Sequence, residues 1–427
     1  MNGSSVRVGL LGCGNVGGAL VELVAKEAET IAVRTGVHLE VTRIAVRDAA
    51  KHRGIPNDLL TEDAASVVQD PAVDVVVEVI GGLEPARTLI LDALKGGKPV
   101  VTANKELVAT SGADLFAAAA TAGVDLLFEA AVGGGIPLIR PLRESLAGER
   151  IGRVMGIVNG TTNFILTRMA EEGASYADAL AEAQRLGYAE ADPTADVEGG
   201  DAAAKAAILA SIAFGAGVVA SDVRREGIST VTAGDIAFAQ RLGYVIKLLA
   251  IAERVNDDAF AVRVHPAMLP RTHPLASVRD SFNAVFIEGD AVGELMLYGR
   301  GAGGMPTASA VLGDLIDAGH NLRSGGSGRS LIPGEARLFP LEDLSSAFYL
   351  SIEVADRPGV LAAVAGVFGD HGVSIRSMEQ HGLHDEARLV FITHTARERD
   401  MQATLAGLRQ LDAVDRIGSL IRVVGSE

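Results

Sequence analysis

Basic charge is scarce in this chain of 427 residues. Lysine and arginine number 38 against 54 acidic residues, for a net charge of −16. That balance excludes non-specific binding to nucleic acid or to anionic membranes, which needs clustered cations. Cysteine is nearly missing, with Cys13 the single one. No intrachain disulfide can form, and a reducing, cytoplasmic compartment is expected. No uninterrupted apolar run reaches the roughly 18 residues of a membrane span. The start, MNGSSVRVGLLGCG, passes straight into a strand pattern. It lacks the basic residues, apolar stretch and small-residue cleavage site of a secretory leader.

What is present suits a globular protein: 48 % hydrophobic and 22 % charged residues, enough for about three domains. Short apolar runs at 6–11, 39–46, 73–80, 99–102 and 124–128 alternate with helical stretches such as 19–28 and 85–95. Apolar strands separated by helices predict a parallel sheet covered on both faces, a doubly wound α/β domain of the Rossmann type. This domain is expected over 1–150. The segment 299–320 opens with a glycine cluster, becomes helical and is expected to pack back on it. Between them, 151–298 reads as a central α+β domain with helices at 177–186, 202–214 and 235–253 and strands at 259–265 and 284–288. Residues 321–346 look like a linker rich in Ser, Gly, Arg and Pro. Beyond it, 347–427 carries the βαββαβ order of a ferredoxin-like unit.

Gly12-Cys13-Gly14-Asn15-Val16-Gly17 fits G-x-G-x-x-G, after a strand and at the start of a helix. Gly12 permits the tight turn, Gly14 lets a pyrophosphate approach the backbone, and Gly17 allows close helix–sheet packing. Asn15 and Val16 open the helix, whose free N–H groups favour phosphate. Arg47 follows the second strand, with Lys51 and Arg53 nearby. These cations suit the 2′-phosphate of NADP, the first expectation. Asp48, taking a free ribose hydroxyl, would suit NAD instead. Lys105, in Thr102-Ala103-Asn104-Lys105, follows another strand end, where open α/β sheets bind ligands.

The run from Gly187 to Lys205 holds five acids within 190–201 and then a lysine. Asp201 and Lys205 are four apart, on one face of a helix whose continuation is almost wholly apolar. An exposed ion pair and a functional pair are both open readings of that spacing. A carbonyl reduced by hydride needs a proton donor at its oxygen, and a partly buried lysine can serve. Nearby carboxylates suit a substrate ammonium group.

At these motifs the chain resembles the homoserine dehydrogenase family. The resemblance covers about 6–320 and rests on GCGNVG, VVVEVIGG, TANKE, FEAAVGGGIP, GIVNGTTNFIL and GYAEADPTADVEGGDAAAK. It implies reversible reduction of aspartate semialdehyde to homoserine. Lys205 would be the proton donor, Asp201 would bind substrate and assist, and Glu190 would bind homoserine with Asp196 nearby. Lys105 would touch cofactor and substrate, and Gly187 and Gly303 would contact cofactor. Backbone carbonyls of Glu129, Val132, Gly134 and Ile136 would hold a monovalent cation, sodium. Residues alone would make that loop a structural turn.

The C-terminal unit resembles an ACT domain, through Asp356-Arg357-Pro358-Gly359-Val360-Leu361 and His371-Gly372-Val373-Ser374-Ile375. This implies an amino-acid effector, threonine, bound near Asp356, Pro358, Gly359 and Val360, and a homodimer or homotetramer. An assembly role alone is the other reading. Since the chain begins at the dinucleotide fold, no appended aspartate kinase is expected. A catalytically silent nucleotide-binding sensor and a dehydrogenase of a related aldehyde are the alternative functions.

Overall fold

The computed structural model describes residues 5–51, 54–328, 333–383 and 386–425. β1 (Val6–Leu11) leads into α1 (Asn15–Thr35), β2 (Leu39–Ala45), β3 (Leu60–Thr61), α2 (Ala64–Gln69), β4 (Val75–Glu78), α3 (Ala86–Lys95), β5 (Val100–Thr102), α4 (Lys105–Ala122) and β6 (Leu126–Leu127). Then come β7 (Ile151–Ile157), α5 (Gly160–Glu172), α6 (Tyr176–Arg185), α7 (Thr194–Val197), α8 (Gly200–Phe214), β8 (Arg224–Arg225) and α9 (Ala233–Arg241). They are followed by β9 (Tyr244–Arg254), β10 (Phe260–Pro270), β11 (Phe282–Gly289), β12 (Gly293–Arg300) and α10 (Gly304–Arg323). The chain closes with β13 (Ser345–Ala355), α11 (Val360–Asp370), β14 (Ile375–Leu383), β15 (Glu386–Thr393), β16 (Ala396–Arg397), α12 (Glu398–Leu408) and β17 (Val414–Val423). No described helix is long and apolar enough to cross a membrane.

The chain divides into two compact units. The first joins the residues up to Val154 with Ala203–Val223 and Asn283–Ala336. Its sheet runs β3-β2-β1-β4-β5-β6, with every pairing parallel. Val8, Leu10, Val75, Val76, Val77 and Val100 are fully buried, as strands covered on both faces require. Helix α10 packs Ala308, Val311, Leu315 and Ala318 into the same core as Val8, Leu10 and Leu20.

The second unit comprises Met155–Ala202, Arg224–Phe282 and Arg337–Glu427. Here the sequence reading needs two corrections. The expected helix over 235–253 ends at Arg241, and Gly243, at φ +81°, starts the turn into β9. Ile246 to Ala252 are buried at every position. Such a run has no helical period and no alternation, so periodicity alone could not identify the strand.

The C-terminal unit was also expected to stand apart behind a loose linker. Instead β17 pairs in parallel with β10, Ala267 opposite Arg422 and Met268 opposite Val423. β17 then pairs antiparallel with β13, β13 with β15, and β15 with β14. The module thus extends the central sheet. Asp235, fully buried on α9, fastens the joint. It accepts hydrogen bonds from Tyr349 Oη and Arg388 Nη2, both at 2.6 Å, and from Ser419 Oγ at 2.7 Å. Part of the linker is tied as well, with Phe260 and Leu338 forming a β-bridge.

Candidate active site

The turn after β1 has the geometry its glycines predict. Gly12 sits at φ +100°, and a Cβ at Gly17 would collide with the Gly12 carbonyl. Gly14 caps α1 without any side-chain hydrogen bond and has open space where a Cβ would stand. The first N–H groups of α1 are therefore not covered by a cap, as a phosphate requires. Gly303, at φ +122°, precedes α10 in the same way. A Cβ on Gly304 would come within 2.8 Å of the Asn15 carbonyl, so the two helix starts lie together. Cys13 packs against the core.

The ends of β4 and β5 are locked by Glu78, which is fully buried. Its Oε1 accepts from the N–H groups of Ile80 and Gly81, both at 2.9 Å, and its Oε2 from Thr102 Oγ1 at 2.6 Å. Asn104 caps α4 through Leu107 N at 3.1 Å and donates to the Gly82 carbonyl at 2.7 Å. This network fixes both loops and sets Lys105 at the first turn of α4. Between them opens a cleft of about 290 Å³ lined by Val16, Ile80, Lys105, Gly134, Lys205 and Thr307, among others. Lys105 is half-buried there, and Lys205 is 9 % exposed. Both predicted lysines thus face one cavity with the dinucleotide turn.

The acidic run, through Asp201, lies in the second unit, and α8 passes into the first unit from Ala203. Asn159 Nδ2 donates to Asp196 Oδ1 at 2.7 Å and to Asp201 Oδ2 at 2.9 Å. Thr161 Oγ1 contacts the Tyr188 carbonyl at 2.6 Å and Asp196 Oδ2 at 3.2 Å. Asp201 stands in the first turn of α8, one turn before Lys205. Glu190 is exposed, and none of its side-chain atoms enters this group. Gly187, at φ +78°, ends the turn after α6.

Residues 12–129 match the family model for the homoserine dehydrogenase NAD-binding domain, and residues 137–316 match that for homoserine dehydrogenase. The chain belongs to the homoserine dehydrogenase family. Residues 348–413 match the ACT domain. The homoserine dehydrogenase of Corynebacterium glutamicum is 53 % identical over 99 % of this chain and 96 % of its own length. That of Mycobacterium tuberculosis is 51 % identical over 99 % and 98 %. A solved homoserine dehydrogenase from Thiobacillus denitrificans, 44 % identical, superposes with a TM-score of 0.93 over 98 % of both chains. The protein is therefore an oxidoreductase with a nicotinamide-dinucleotide-binding domain and an ACT module.

Within this homoserine dehydrogenase fold, the Glu129–Ile136 loop turns through Gly133 and Gly134, at φ +79° and +58°. The Glu129 carboxylate is already used: it accepts from Ile139 N at 2.8 Å, from Arg140 N at 2.8 Å and from Leu138 N. Three main-chain donors thus hold the carboxylate on the loop that follows. Burial raises the neighbouring Asp314 carboxyl to about 7, against hydrogen bonding from Glu129 N. Among the described residues no cluster of His, Cys, Asp and Glu side chains could hold a metal. A cation in this loop would need main-chain oxygens, and the consecutive left-handed glycines are suited to turning them inward.

Arg47 and Asp48 are exposed just after β2, and Asp48 Oδ1 accepts from Ala50 N at 3.0 Å. Arg53 lies outside the described residues. In the ACT module a separate cavity of about 360 Å³ is lined by Asp356, Pro358, Gly359, Val360 and Gln380, among others. Gly359 begins α11 at φ +89°, and Gln380 Nε2 holds Asp356 Oδ1 at 3.2 Å. The structure therefore brings together all four predicted effector residues.

Sequence reasoning assigned no role to Glu78, Asn159 or Asp235. Glu78 and Asn159 sat inside quoted motifs. Asp235 carries a visible signal, the Thr232-x-x-Asp235 capping box, in which Thr232 Oγ1 accepts from Asp235 N at 3.2 Å. Its partners more than a hundred residues away carry none.

Proposed function

We propose that the chain catalyses the reversible reduction of L-aspartate 4-semialdehyde to L-homoserine with NADPH. The observation that carries this is the shared cavity of Lys105, Lys205 and the dinucleotide turn at Val16. Gly12, Gly14, Asn15, Val16 and Gly17 would hold the dinucleotide, with Gly187, Gly303 and Lys105 as further contacts. When bound, that group supplies hydride to the aldehyde or takes it from the alcohol. Lys205 holds the proton at the substrate oxygen, donating it in reduction and removing it in oxidation. Asp201 binds the substrate, together with Asp196 and Glu190. Lys105 adds positive charge at the rim.

NADP is favoured over NAD by Arg47, whose guanidinium is free of burial at the end of β2. A hyperthermophilic archaeal homoserine dehydrogenase, 30 % identical, was solved in complex with NADPH. The carbonyls of Glu129, Val132, Gly134 and Ile136 are assigned to a monovalent cation, sodium. The cavity at Asp356, Pro358, Gly359 and Val360 is assigned to threonine, and the assembly to a homodimer or homotetramer. The decisive experiment is Lys205→Ala, with homoserine and NADP, followed by absorbance of the reduced cofactor. Turnover falls roughly 100- to 10,000-fold while NADP affinity is retained. Wild-type turnover in the variant would remove Lys205 as the proton donor.

A further inference from the structure

We propose that Asn159 is a positioning residue that clamps the carboxylates of Asp196 and Asp201 into one substrate-binding surface. This rests on the reading above that those acids bind homoserine.

Asn159 is 4 % exposed and caps α5. Its Oδ1 accepts from Thr162 N at 2.8 Å and Thr162 Oγ1 at 2.9 Å. The amide orientation is thereby fixed, because the flipped form would face two N-terminal donors with an NH₂ and two carboxylates with an oxygen. An amide nitrogen has two hydrogens. Both are committed, to Asp196 Oδ1 at 2.7 Å and to Asp201 Oδ2 at 2.9 Å. One nitrogen therefore ties together the starts of α5, α7 and α8.

The chemistry of the clamp matters as much as its geometry. Two carboxylates meeting at one atom repel each other. A lysine or arginine between them would cancel their charge. A neutral amide instead offsets part of the repulsion without adding a charge of its own. The hydroxyl of Thr161 has a single proton, and its shorter contact is to the Tyr188 carbonyl. Acceptor capacity on Asp196 thus stays open.

The clamp also has a rigid base. One turn along α5, Asn163 is 1 % exposed and donates to the carbonyls of Asp280 at 2.9 Å and Phe282 at 3.2 Å. It accepts from Lys247 Nζ at 2.8 Å. Helix α5 is thus anchored below the clamp, and Asp201 is held one turn before Lys205 on α8.

The test separates clamping from capping. Asn159→Asp keeps an oxygen that caps α5 and removes both donors. Asn159→Ser also supplies a cap but is too short to bridge the two acids. In both variants the KM for homoserine should rise about 10- to 100-fold, the size expected for lost hydrogen bonds to charged groups. In Asn159→Ser, which adds no charge beside the two acids, the dissociation constant for NADP, read by fluorescence, and the melting temperature should stay near wild type. A homoserine KM within twofold of wild type would overturn the inference. So would parallel losses in homoserine affinity, NADP binding and melting temperature in Asn159→Ser, which would make Asn159 a general structural contact. Failure of the underlying functional reading shows separately, as an absence of homoserine oxidation by the wild-type chain.

Discussion

The cleft of the first unit and the joint within the second are built from opposite materials. Around the cleft, segments meet through glycine. A Cβ on Gly134 would strike the Gly301 backbone, and one on Gly304 the Asn15 carbonyl. At the joint, segments meet through charged side chains. Asp235 gathers Tyr349, Arg388 and Ser419. Arg422, 5 % exposed, bridges Glu226 at 2.7 Å and Glu398 at 2.7 Å. Burial alone would lower the Arg422 pKa, and the two carboxylates outweigh it and raise it. Backbone-to-backbone contact leaves main-chain groups available to a ligand. Buried charge spends every donor and acceptor on the fold, and holds only while each partner is present.

The largest test of this contrast is to remove the charged joint altogether. Ending the chain at Leu344 strips β17 from β10 and takes Tyr349, Arg388 and Ser419 from Asp235 and Arg422 from Glu226. Loss of soluble, folded protein is expected, measured by gel filtration and circular dichroism. A truncated chain as stable as the full one would mean that the module is a separate body, as its sequence suggested.

Asp235→Ala comes next. It leaves Tyr349, Arg388 and Ser419 without their shared acceptor and should cost about 3–5 kcal/mol, the range for breaking a buried charged pair. Urea unfolding measures it. A loss under about 1 kcal/mol would reduce the joint to the standing of a surface ion pair.

On the cleft side, Gly134→Ala forces a left-handed residue against the Gly301 backbone. A cost of about 1–3 kcal/mol is expected from overpacking, with a larger fractional loss of activity than of stability. Equal stability and activity in the variant would show that the close approach is not needed.

The smallest effect is a pH dependence at the joint. Burial, and then Arg422 and Arg263, hold the His265 pKa well below its ordinary value. The unfolded chain therefore takes up this proton first as pH falls. Stability from this group is complete above about pH 6.5 and is lost below it, by up to about 1.4 kcal/mol per pH unit. Denaturation series on wild type and His265→Gln should diverge only on that acid side. Parallel curves would remove His265 from the account.

Much of the first unit was legible in the chain itself. Local rules suffice there: apolar strands, a glycine turn with Gly12 at positive φ, and Lys105 at a strand end all act within a few residues of one another. The family motifs likewise carried Lys205 and Asp201, because helical spacing places them on one face. What the sequence could not decide depends on distant partners. The strand at Tyr244–Arg254 is buried on both faces over most of its length and has no period of its own. Asp235 is an ordinary capping residue until Tyr349, Arg388 and Ser419 arrive around it. Asn159 is one letter of a motif until its amide meets two carboxylates from other helices. Charge and hydrogen bonding take their energies from burial, and burial is a property of the assembled chain. The sequence alone thus determined the dinucleotide fold and marked its candidate residues, and tertiary packing decided how the C-terminal module is joined and which groups contact the acids.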